Sequence, residues 1–337
     1  MIKIAVDAMG GDNAPEAAVH GGIEAARSAR GEYEIVFVGN QEIISKEISR
    51  HFRTEDLAIS IVHAPETITM NEHPALAVKR KKNSSIVVAI RIQKEGKVDA
   101  AVSAGNTGAF MTAAMFELKR IEGINRPAIG SILPREMGHT LLIDAGANMD
   151  SKPSNLLQYA LMGSIFYSKV FQSPNPRIGL LSVGHEAIKG NELTIKAHDL
   201  LEKSNLNFIG NIEGGDILHD KAEVVVCDGF VGNALLKFGE SMHRVFKSSM
   251  RRLIGKRIFP QIGAFLMKPS FEGFRKMFDY QEYGGAPLLG VQGVCIVAHG
   301  RSTPRAIKSA IHEAKVTVEG RVNQLIRKEI QKFYGKE

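Results

Sequence analysis

The sequence predicts a mixed α/β protein, a largely parallel sheet covered by helices on both faces. Three observations carry that prediction. Short apolar runs alternate with longer segments of helical periodicity from the first residues onward. Most runs end in a turn of glycine and small polar residues. No repeat, low-complexity tract or linker interrupts the alternation. With 337 residues, 44% hydrophobic and 23% charged, the chain can bury a large core.

In chain order the predicted strands are 2–7, 33–38, 59–63, 99–103, 128–133, 140–144, 177–183, 207–210, 223–228 and 294–299. The predicted helices are 15–29, 84–95, 108–120, 154–170, 192–203 and 304–333. Pro15 suits a first helical turn, where its missing N–H would be unpaired anyway. Turn-formers cluster at 134–139 and 173–176, but neither stretch is long enough to tether separate domains. One unit, 1–337, with a helical arm at 241–282 is expected.

The absences are informative. No apolar run reaches the length of a membrane span, and the start of the chain has none of the parts of a signal peptide. Cys227 and Cys295 lie in apolar runs and read as buried strand positions, in keeping with a reducing cytoplasm. There is no Trp and aromatic residues make up 7%, a poor supply for stacking bases, so no nucleic-acid partner is expected. The chain has no GxGxxG after a strand, no GxxxxGK[ST], no HExxH, no CxxC and no GxSxG. Nucleotide cofactors, zinc and a serine nucleophile are therefore disfavoured, and no cofactor or metal is expected.

Chemistry is expected at the turns. They read Asp7-Ala-Met-Gly10-Gly11-Asp12-Asn13, Ser103-Ala-Gly105-Asn106-Thr107-Gly108, Asp144-Ala-Gly146-Ala-Asn148, Ser182 through Asn191, Asp228-Gly229-Phe-Val-Gly232-Asn233 and His299-Gly300-Arg301-Ser302. In a parallel sheet such turns share one edge. There, glycines admit an anion to the backbone amides and helix N-termini add partial positive charge. Any one of these turns is equally explained as a tight connection. Lys79-Arg-Lys-Lys-Asn83-Ser84-Ser85 is a further anion candidate, or a solvated basic helix end. Asp7, Asp12, Asp144 and Asp228 read as braces for their turns rather than cation ligands. Such parts suit an enzyme that aligns two substrates.

At these turns the chain resembles the bacterial phosphate acyltransferases. The resemblance rests on VDAMGGDNAP (6–15), SAGNTGAFM (103–111), DAGAN (144–148), IKGNE (188–192), CDGFVGNALLK (227–237) and YGGAPLLGVQG (283–293). It departs in SVGHE, where the family usually has Asn at Ser182 and rarely His at His185, so His185 reads as structural. The resemblance implies a three-layer α/β/α fold like that of isocitrate and isopropylmalate dehydrogenases and phosphate acetyltransferases, in a homodimer. It implies transfer of a long acyl chain from acyl carrier protein to inorganic phosphate, the acyl phosphate then passing to a membrane glycerol-3-phosphate acyltransferase.

The residue chemistry of the turns agrees with that reaction and makes Lys189, Asn233 and Asn106 the expected catalytic residues. Gly10, Gly11, Asp12, Gly105, Thr107, Gly108, Gly229, Gly232, Ser84 and Ser85 are expected to hold phosphate and thioester. A small-acyl transferase using a coenzyme A thioester is the nearest rival, and a non-enzymatic membrane adaptor the more distant one.

The formal charge of +7 is localised. Seven of the 43 basic residues lie between Ser241 and Phe271 with no acidic residue among them, leaving 36 basic against 36 acidic elsewhere. Interleaved apolar residues make this arm a candidate contact for carrier protein or an anionic membrane surface through Arg251, Arg252, Ile254, Lys256, Arg257, Ile258, Phe259 and Ile262. A dimer or core helix with solvated charges is the plainer reading.

Overall fold

The computed structural model describes residues 1–255, 263, 266–267 and 284–334. Among these residues, eleven strands form one sheet in the order β3-β2-β1-β4-β11-β10-β5-β6-β9-β7-β8. The first half holds β1 (Ile2–Asp7), β2 (Tyr33–Gly39), β3 (Ile59–His63), β4 (Ala100–Ser103) and β11 (Val294–Val297), all mutually parallel. The second holds β6 (Gly138–Ile143), β7 (Ile178–Leu181), β8 (Phe208–Ile212) and β9 (Val224–Val226), also parallel to one another. Between them lie β5 (Ala128–Arg135) and β10 (Ala286–Leu289), joined to each other and to their outer neighbours by antiparallel pairing.

Three successive antiparallel pairings reverse the direction of the second half. The expectation that every strand-end turn shares one edge is therefore corrected: the turns after β1, β4 and β11 lie at one edge, those after β6, β7 and β9 at the opposite edge. The cluster 134–139 is the turn of the β5–β6 hairpin, which closes with Arg135 opposite Gly138.

Helices cover both faces, giving three layers. They are α1 (Glu16–Ala29), α2 (Gln41–His51), α3 (Pro74–Arg80), α4 (Ser85–Lys94), α5 (Thr107–Glu117), α6 (Pro153–Val170), α7 (Glu192–Glu202), α8 (Gly229–Ile254), α9 (Pro304–Glu319) and α10 (Val322–Tyr334). Strand alternation sorts the core. Ile4 and Val6 of β1 pack with α1 and α9, while Ala5 joins α4 and α5 on the other face. Val224 and Val226 of β9 pack against α6, whereas Val225 faces Leu235 of α8.

Several elements escaped the sequence, among them α2, α3 and the first half of α8, which match no predicted helix. Strand β10 has only four residues and contains Pro287, which cannot donate to a ladder. The predicted helix 304–333 is two helices, broken where Gly320 caps α9 and Arg321 takes a positive φ of 51°. Helix α8 runs unbroken through residue 241, so the basic segment begins as its continuation.

Candidate functional site

A cleft of about 980 Å³ opens over the central antiparallel strands, on the sheet face covered by α5 and α8. Ile129 and Ser131 of β5 and Ala286 and Leu288 of β10 form its floor. A four-residue strand is roughly 13 Å long, so turns at opposite sheet edges face each other across it. Asp12, Thr107, Gly108 and residues 298–301 contribute one end, residues 145–148 and Asn233 the other.

The first end is built around Asp7. Its buried carboxylate accepts the Met9 amide (3.1 Å) and the Ser103 hydroxyl (2.6 Å), and Ser103 in turn accepts the Gly105 amide (3.0 Å). Burial raises the Asp7 pKa, opposed by Ser103, Ser85 and nearby amides. Gly10 lies so close to Gly105 that a Cβ there would stand 2.7 Å from the Gly105 nitrogen. Gly11, at φ 100°, lies against Gly300, whose carbonyl accepts the Asp12 amide at 2.7 Å. Gly10, Gly11 and Gly105 therefore knit three turns together, and none lines the cleft. Asp12 does line it, 3.8 Å from Arg301.

Asn106 is buried and its amide is fully engaged. Its oxygen caps α5 by accepting the Ala109 amide (3.0 Å), while its nitrogen reaches the carbonyls of Thr69, Met70 and Glu72 (3.1–3.3 Å). The catalytic role expected of Asn106 is corrected to a cap and clamp. The next two residues are the ones it presents: Thr107 and Gly108 open α5, line the cleft and have amides without partners among the described residues.

Ser84 and Ser85 are corrected as well. Both are buried, 0% and 1% exposed, outside the cleft, and Ser85 faces the Asp7 carboxylate.

At the other end the Asp144 carboxylate accepts five hydrogen bonds. The amides of Ile129, Gly146, Ala147 and Asn148 and the Asn148 side chain donate them, at 2.8–3.2 Å. Asp228 caps α8 by accepting the Phe230 and Val231 amides. Gly229 packs on the Asn148 backbone and Gly232 on the Asp144 carbonyl, leaving no room for a Cβ. Gly229 and Gly232 therefore seat the helix, whose leading amides are already capped, rather than cradle phosphate. Asn233, one residue further along, lines the cleft, and its amide is unengaged among the described residues.

Lys189 lies in the exposed turn after β7, at the same edge as Asn233 but one strand further out, and does not line the single-chain cleft. In that turn His185 lies 3.3 Å from the Asn211 carbonyl oxygen and near Asp216, a structural position.

Sequence reasoning missed Arg126, Lys237 and Glu240 as lining residues, whereas His299 belongs to a turn it singled out. Lys237 is paired with Glu240 at 3.0 Å. Burial lowers the His299 pKa, and one ring nitrogen takes the Arg301 amide at 3.1 Å. Lys237 follows Asn233 by one helical turn, a spacing visible in the sequence once α8 is known to start at Gly229.

Of the proposed arm contacts, Arg251, Arg252 and Ile254 lie in the last turn of α8, Arg252 exposed. Lys256, Arg257, Ile258, Phe259 and Ile262 lie outside the described residues. Along α8, Phe238, Met242, Val245 and Leu253 are exposed by 52–68%. Among the described residues no helix is long and apolar enough to cross a membrane.

Comparison with known proteins gives a consistent result. A family profile described as "Fatty acid synthesis protein" matches residues 2–325. A phosphate acyltransferase of Pelotomaculum thermopropionicum is 49% identical over 98% of this chain and 95% of its own. One of Desulforamulus reducens is 47% identical over the full length of both. In fold the chain is similar to a phosphotransacetylase from Streptococcus pyogenes, with TM-score 0.62 and 18% identity over 94% of each chain. It is also similar to a 4-hydroxythreonine-4-phosphate dehydrogenase from Klebsiella pneumoniae, with TM-score 0.54 and 15% identity over 93% of this chain and all of that one. A three-layer α/β/α fold with a cleft across the middle of its sheet, matched end to end by curated relatives of one name, places this chain in the phosphate acyltransferase family of enzymes.

Proposed function

We propose that the cleft joins inorganic phosphate to a long acyl chain delivered as a thioester of acyl carrier protein. One observation carries this reading: polar donors without partners among the described residues, from opposite sheet edges, face a single cleft that also carries an apolar wall. The N-terminus of α5, with the Thr107 and Gly108 amides and the Thr107 hydroxyl, binds phosphate. Met70, Met111, Met115, Ile132, Leu236 and Leu288 supply the wall for the chain. Such a wall favours a long acyl group over acetyl, since each buried methylene contributes about 0.8 kcal/mol.

A phosphate oxygen attacks the thioester carbonyl carbon, and the Asn233 amide donates to the oxyanion that forms. The C–S bond then breaks, and the thiolate leaves and takes a proton. Phosphate is already nucleophilic, so positioning and charge stabilisation supply the catalysis. Lys189 belongs to the proposal as a charge-neutralising group reaching the cleft from outside a single chain, and the proposed homodimer would supply it. If Lys189→Ala keeps kcat within about tenfold, roughly 1.4 kcal/mol, that assignment is wrong.

The acyl phosphate would feed phospholipid synthesis through a membrane acyltransferase. The exposed apolar stripe and the cations of α8 support reversible contact with an anionic membrane or the acidic carrier protein. Purified protein incubated with phosphate and either palmitoyl-carrier protein or acetyl-coenzyme A tests the reading. Phosphate-dependent thiol release from the first is expected; release from the second alone would favour a small-acyl transferase.

A further inference from the structure

We propose that His20, Glu47 and His51 form a binding site for one divalent transition-metal ion of the zinc class, linking α1 to α2. Glu47 and His51 are four residues apart on α2 and so share a helix face. His20 reaches the same point from α1. Its Nε2 lies 2.8 Å from Glu47 Oε1, and His51 Nε2 lies 3.8 Å from the same oxygen. All three candidate donor atoms fall within 4.8 Å of one another. Tetrahedral coordination at about 2.0–2.1 Å places donor atoms roughly 3.3 Å apart. Side-chain adjustments of about an ångström convert one arrangement to the other.

The surroundings hold the first two ligands and leave the third side open. His20 and Glu47 side chains are only 21% and 16% exposed, and the His20 ring stands edge-on to Phe52 at 4.7 Å. His51 is 49% exposed, which leaves space for water to complete the coordination. Two imidazoles and one carboxylate favour zinc, copper, nickel or cobalt over magnesium or calcium, which prefer all-oxygen shells. None of the three residues lines the acyltransferase cleft, so the site is independent of the reaction. It would clamp the helix that follows the Asp12 turn.

The test uses full-length protein treated with chelator and titrated with Zn2+ by calorimetry, with thermal unfolding in parallel and Co2+ absorption as a spectroscopic reporter. Wild type is expected to bind one Zn2+ with micromolar affinity, to unfold at a higher temperature with zinc, and to give cobalt spectra containing nitrogen ligands. His51→Ala, at a half-exposed helix end, should keep the metal-free unfolding temperature and weaken this binding at least tenfold. Glu47→Gln should weaken it similarly. The proposal is overturned if wild type binds no zinc in the micromolar range. It is equally overturned if His51→Ala and Glu47→Gln both bind as wild type does, which would assign the zinc to other histidines, or if Mg2+ competes equally.

Discussion

The two ends of the cleft are each organised by a buried aspartate at the end of a strand, and the two are held differently. Asp144 is wrapped by five donors, four of them backbone amides of its own loop and of β5. Asp7 is held by the Met9 amide and the Ser103 hydroxyl. Amides can only donate, whereas a hydroxyl can donate or accept. The Asp144 loop therefore requires a carboxylate, and the Asp7 junction tolerates a neutral amide.

The sharpest break of that comparison is Asp144→Asn, which turns one acceptor into a donor facing the donors of Asn148. A loss of about 3 kcal/mol is expected in denaturant unfolding. Asp7→Asn should lose about 1 kcal/mol, because the Ser103 oxygen can accept instead. Equal losses would refute the distinction.

Asn233→Ala probes the chemistry proposed for the Asp144 end of the cleft. It should lower kcat about 10²-fold, roughly 2.7 kcal/mol, while leaving the unfolding midpoint unchanged. A shifted midpoint with normal kcat would make Asn233 a packing residue.

Glu223, at the start of β9, provides a contrast in sign. Arg177 and Arg135 lie 2.6 and 3.0 Å from its carboxylate and hold its pKa down to about 2, against the effect of its own burial. A depressed folded-state pKa gives stability that is complete above about pH 4.5 and is lost as pH falls toward 2. Glu223→Gln should cost about 2 kcal/mol near neutrality, and the gap should close in acid. For Asp7 and Asp144 burial raises the pKa, so ionisation on raising the pH costs stability. A gap between Glu223→Gln and wild type that does not narrow toward pH 2 would show that the arginines are not responsible.

The smallest effect belongs to Asn106→Ala. Loss of the α5 cap should cost about 1 kcal/mol, and a modest rise in KM for phosphate should follow from a loosened Thr107–Gly108 turn. A kcat collapse with unchanged stability would restore Asn106 to the chemistry.

The sequence made the parallel strands legible because each is a short apolar run ending in a turn, and those runs survive nearly intact as β1 to β4 and β6 to β9. It hid the reversal between the halves, because direction is set by pairing across β10, four residues with a proline. The site was legible as turns but not as contacts. Gly10, Gly105, Gly229 and Gly232 look like an anion nest in one dimension. In three dimensions their missing side chains are filled by neighbouring backbone and side-chain atoms. The capping role of Asn106 was available from its place just before a helical run. The partners of its amide nitrogen, more than thirty residues away in the chain, were not.

Strand β4 finds its partner on one side only when β11 arrives, nearly two hundred residues later in synthesis. Until then a nascent chain carries an open apolar edge, the kind that pairs with strangers. Emergence of the final quarter from the ribosome is therefore what seals the amino-terminal half. Truncation after Gly285 should yield a product that aggregates rather than a folded fragment, which sedimentation of the translated fragment would reveal.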